Sequence, residues 1–111
     1  MASTVDFVMH VVEQIKLDIP ITYKKMFGEY LIYANEKPAV LVCDNTAFIK
    51  ILDCIKPYLE NAEKGFTYQG AKEHYIIDVD DSELMTNVVR ELEKNVRLPK
   101  KKNISLLSSP L

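Results

Sequence analysis

Cys43, Cys54, His10 and His74 are the residues whose types best suit metal or nucleophilic chemistry in this chain. No pair of them has the CxxC or HxxxH spacing of a zinc site, so the expectation is no metal: packed thiols and surface or edge imidazoles. Cys54 stands where a helix is predicted to begin, and a helix N-terminus can lower a thiol pKa. A base such as His74 would have to be brought beside it by the fold, and a small packed cysteine is the commoner role. Asp78, Asp80, Asp81 and Glu83 lie within "DVDDSE". That run lacks the spacing and central glycine of an EF-hand loop, and capping of the following helix is the simpler account.

A second constellation is "KKMFGEYLIY", Lys24 to Tyr33. A glycine beside lysines can cradle phosphate, but GxxxxGK[ST] is absent and no helix starts after Gly28. The favoured reading is structural: Gly28 bends the chain into a first strand, and Met26 and Phe27 anchor that bend in the core. Lys24 and Lys25 are then solvated charges, or contacts to a partner. Tyr23, Tyr30, Tyr33, Tyr58, Tyr68 and Tyr75 could stack bases if they shared an exposed face with lysines. Net charge is −2, from 14 basic and 16 acidic side chains, which argues against direct nucleic-acid binding.

The elements that must position these residues follow from periodicity. Phe7, Val8, Val11, Val12 and Ile15 recur at helical spacing, with Ser3 and Asp6 spaced like a capping box; Pro20 stops the helix near Leu17 or Asp18. The segments "EYLIYA", "PAVLVC" and "TAFIKIL" have strand character, and Asn35-Glu36-Lys37 and Asp44-Asn45 join them as tight hairpins. Pro38 belongs at the start of its strand. A helix is expected from Asp53 or Cys54, with Pro57 in its first turn and Gly65 as its stop. Two short strands, "FTYQ" and "HYIIDV", precede a last helix capped by Asp80, Asp81 and Ser82, with Leu84, Val88, Leu92 and Val96 on its core face.

The predicted order is therefore α-β-β-β-α-β-β-α, a two-layer α+β domain with helices on one face of an antiparallel sheet. The domain spans 1–98, and a basic, Ser/Leu-containing tail follows at 99–111, carrying Lys100, Lys101 and Lys102. The chain has 111 residues, 48% apolar and 27% charged, enough to bury a core without disulfides or metal. No apolar run is long enough for a membrane span, and "MASTVDFVMH" has no basic n-region. A cytoplasmic protein with free thiols is the expectation.

In their order and spacing, "YKKMFGEYLIYANEKPAVLVCDNTAFIKI", "GFTYQG" and "HYIIDVDD" resemble the N-terminal domain of the TfoX competence-regulator family. The matching residues are Met26, Phe27, Gly28, Tyr33, Leu41, Val42, Asp44, Lys50, Phe66, Tyr68 and Tyr75, and the likeness runs from about Phe7 to Val96. The resemblance implies a fold like that of secretion chaperones. It also implies competence or transcription regulation through protein contacts, and it brings no catalytic residues and no cofactor. The leading expectation is a non-enzymatic regulatory or adaptor domain that binds another protein and could form a homodimer, with Lys24, Lys25, Met26, Phe27, Gly28 and Tyr33 as its candidate surface. A small-molecule binder or enzyme built on Cys54, His74 or the aspartates would instead need one concave pocket uniting them.

Overall fold

The structure is a computed structural model and describes residues 4–26, 29–67 and 70–96. Helix α1 is Val5–Gln14. Strands β1 (Ile21–Met26), β2 (Glu29–Ala34), β3 (Lys37–Cys43) and β4 (Thr46–Lys50) follow. A short 3-10 helix at Asp53–Tyr58 leads to β5 (Glu63–Phe66), β6 (Glu73–Ile76) and helix α2 (Ser82–Asn95). The described strands form one antiparallel sheet in the order β1-β2-β3-β4-β6-β5. The helices cover one face, which makes the domain two-layered α+β, as its sequence predicts.

Local chemistry explains most of the boundaries. Thr4, one residue beyond the expected Ser3, caps α1: its Oγ1 accepts the Phe7 N–H at 3.2 Å. Asp81 caps α2 by accepting the Leu84 N–H at 3.0 Å. Both two-residue turns take left-handed geometry, with φ of 52° and 67° at Asn35 and Glu36 and 52° at both Asp44 and Asn45. Such turns match the twist of the strands they join.

Val8 and Val11 of α1 and Met85, Val88, Val89 and Leu92 of α2 pack on Ile32, Val40, Val42 and Ile49 of the sheet. The two helices are also tied end to side. The Gln14 carbonyl accepts hydroxyls from Ser82 (2.8 Å) and Thr86 (3.2 Å), and Thr86 Oγ1 accepts the Lys16 N–H at 2.9 Å. These bonds satisfy backbone groups left over at the end of α1.

The structure departs from the sequence reading at several places, the first being that α1 ends at Gln14, with Ile15 as its extended C-cap, before the stop expected near Leu17 or Asp18. Ile21–Met26 is a strand of its own, not a lead-in to the first strand. The middle helix is a six-residue 3-10 helix that ends well before Gly65; the Leu59 N–H bonds to the Lys56 carbonyl three residues back. Gly65 lies inside β5, because a Cβ there would meet Ile76 Cδ1 at 3.0 Å and Phe48 Cε1 at 3.6 Å. The strand expected at "FTYQ" therefore lies earlier, at Glu63–Phe66, while Tyr68 and Gln69 are outside the described residues.

Candidate functional site

The Lys24, Lys25 and Met26 of the sequence motif form the second half of β1, an edge of the sheet. None of the β1 side chains is buried, and Met26 is 37% exposed, so it does not anchor a bend in the core. Phe27 and Gly28, and with them the bend expected at Gly28, are outside the described residues. Tyr33 is half-buried in β2, opposite Thr22 and Pro38.

The backbone of β1 can be assigned side by side. The Asn35 N–H donates to the Pro20 carbonyl at 2.8 Å, and residues 20 and 35 continue the register Ile21↔Ala34. Hydrogen-bonded and non-hydrogen-bonded pairs alternate in an antiparallel ladder. Thr22, Lys24 and Met26 therefore bond to β2, while Ile21, Tyr23 and Lys25 turn their N–H and C=O groups away from the sheet. Around that row stand two exposed apolar side chains, Tyr23 (41%) and Met26, and two cations, Lys24 and Lys25. Tyr23 is held edge-on against the buried ring of Tyr30, with centroids 5.8 Å apart.

The other edge is short. β5 has four residues and starts with Glu63 and Lys64; the Lys64 ammonium sits 5.9 Å above the Tyr75 ring.

The candidates for acid, base and thiol chemistry are dispersed. His10 Nε2 contacts Asp80 Oδ1 at 2.9 Å, the Asp80 N–H donates to Asp78 Oδ1 at 2.9 Å, and Asp81 is occupied as a helix cap. Burial, with the nearby charges of Glu29 and Asp44, pushes the Cys43 thiol up to about 11. Burial also raises the Cys54 thiol, opposite to the lowering that a helix N-terminus would give a nucleophile. His74 lines one cleft, Asp78 and Asp81 line another, and Cys54 lines neither. The two thiols are free. Among the described residues no three His, Cys, Asp or Glu side chains gather as a metal site. None of the described helices is long and apolar enough to cross a membrane.

The cleft at His74 is a feature the sequence reading missed. Tyr33 pairs with Pro38 but Ile32 pairs with Val40, so Ala39 is an extra residue in β3. β3 pairs with β4 only from Leu41↔Phe48 to Cys43↔Thr46. Its first half diverges from β4, and a cleft of about 420 Å³ lies there, with Leu92, Asn95 and Val96 at the end of α2 among its walls. Pro38, a residue that cannot complete a ladder, was the one sequence signal of this irregularity.

The fold defines a small α+β domain with β1 at one edge of its described sheet. No family model matches the chain, and no solved structure does. It is 30% identical over 102 residues to the uncharacterized 12.7 kDa protein in the trpE 5′ region of Spirochaeta aurantia, a match covering 90% of this chain and 89% of that one. The chain belongs to the family of that protein.

Proposed function

We propose that the protein is a non-enzymatic regulatory or adaptor domain that acts by binding another protein through the β1 edge. The observation that carries this reading is β1 itself: six residues, none buried, with outward backbone groups at Ile21, Tyr23 and Lys25 beside exposed Tyr23 and Met26. An unpaired strand edge of this kind is a template for strand addition, in which main-chain bonds give affinity and flanking side chains give selectivity. Lys24 and Lys25 favour an extended segment bearing acidic side chains over a second copy of this strand. The resemblance to the TfoX N-terminal domain supports a role in competence or transcription regulation, and the free thiols and the N-terminal sequence support the cytoplasm.

The test is capture from native lysate, together with the oligomeric state, for the wild-type chain and Lys25→Pro. Proline at 25 removes an outward N–H and spares the bonds to β2. The expected result is a partner, or self-association, that Lys25→Pro loses. A monomer that captures nothing, or a partner held equally by both forms, would overturn the proposal.

A further inference from the structure

The cleft between the diverging halves of β3 and β4 has a chemical polarity of its own. Leu31, Leu41 and Phe48 are cross-strand neighbours on the sheet face away from the helices, and all three line it. Leu52 and Leu92 extend the apolar wall. Its described lining carries one charged side chain, Lys50, with His74 beside it. Lys50 and His74 are direct partners across β4 and β6, so their side chains share a face, and among the described residues no carboxylate lines the cleft.

Among the described residues neither Lys50 nor His74 forms an ion pair. His74 is fixed in place: its Nδ1 donates to the Lys72 carbonyl at 2.8 Å, and its ring stands edge-on to Phe48 at 6.4 Å between centroids. Nε2 is thus the ring nitrogen open to a ligand.

We propose that this cleft binds a small apolar carboxylate, with its hydrocarbon among Leu31, Leu41 and Phe48 and its carboxylate on the Lys50 ammonium beside His74. The volume of about 420 Å³ falls in the lower part of the range of small-molecule sites, which are mostly apolar with a few placed polar groups.

The experiment is an amide-resolved NMR titration of the full chain with octanoate, octanol and acetate. Octanoate should give saturable shifts at Leu31, Leu41, Phe48 and His74, whereas acetate should not saturate over the same range. Lys50 is exposed, so Lys50→Gln should keep the native fold, read from unshifted amides away from the cleft. It should weaken octanoate by about tenfold and leave octanol within about twofold, as loss of one charge-assisted hydrogen bond predicts. Three outcomes would overturn the proposal: no saturable shifts, as when the tail fills the cleft; octanol binding as tightly as octanoate; or octanoate affinity unchanged in Lys50→Gln.

Discussion

Strand β4 has a hydrogen-bonded neighbour on each side, β3 and β6, and buries Ala47, Phe48 and Ile49. Strand β1 has one neighbour among the described strands, β2, and has no fully buried residue, with only Ile21 packed against the core. Both are parts of one sheet, and both carry lysine and large side chains. The difference separates residues that hold the domain together from residues that it holds out. Apolar surface removed from water stabilises at about 25 cal/mol per Å², so β4 contributes to folding and β1 contributes little beyond its ladder with β2. What β1 carries, among the described residues, is a backbone paired on one side only and two exposed apolar side chains.

The largest expected effect is in the centre. Ile49→Ala should cost about 2–5 kcal/mol in denaturant unfolding, through lost burial and the cavity left behind. Met26→Ser, in β1, should stay within about 0.5 kcal/mol. Similar losses at the two positions would break the contrast.

The polar clasp under the helices comes next. Thr86 is buried, donates to the Gln14 carbonyl and accepts the Lys16 N–H. Thr86→Val leaves both backbone groups without that partner and should cost about 1–3 kcal/mol by thermal or chemical melts. An unchanged Tm would mean that α1 is not tied to α2 through this hydroxyl.

A proline pair sharpens the comparison within β1. Lys24→Pro removes a bond to β2 and should lower stability by about 1 kcal/mol, whereas Lys25→Pro removes an outward N–H and should cost less. The reverse order would show that the two sides of the strand are assigned the wrong way round.

The smallest effect concerns Glu93. The Asn35 amide, and then the Lys37 ammonium at 3.3 Å, hold its carboxyl below the usual carboxylate range. A depressed folded-state pKa adds stability above the unfolded pKa, and that stability is lost as pH falls through the folded value. Glu93→Gln should therefore lower Tm slightly near neutral pH, with the gap to wild type closing in acid. A gap that widens in acid would contradict the pairing.

Much of the fold is legible in the sequence because burial writes a pattern into it. In β2 the alternation of buried and half-buried residues is the alternation of "EYLIYA", and the left-handed turns fall on Asn35 and on Asp44-Asn45. Leu84, Val88 and Leu92 mark α2 in the same way. β1 escaped because "ITYKKM" is exposed on both faces beyond the half-buried Ile21, and without a buried face there is no period of two. Gly65 read as a helix stop because its true requirement, the closeness of Ile76 and Phe48, involves residues remote in sequence.

The candidate site divides along the same line. Lys24, Lys25 and Met26 stand out in the sequence, but their place at an edge of the described sheet follows from the strand order. The cleft depends on a register shift at Ala39 and on where β3 leaves β4, which only cross-strand pairing reveals.

The account's central claim is that the outward side of β1 is a docking edge. Residue-resolved hydrogen exchange tests it directly, comparing the free chain with its captured or self-associated form. In the free chain, the Tyr23 and Lys25 amides should exchange fast while Lys24 is protected by β2. On association, Tyr23 and Lys25 should become protected. Unchanged fast exchange at Tyr23 and Lys25 in the complex would contradict the claim.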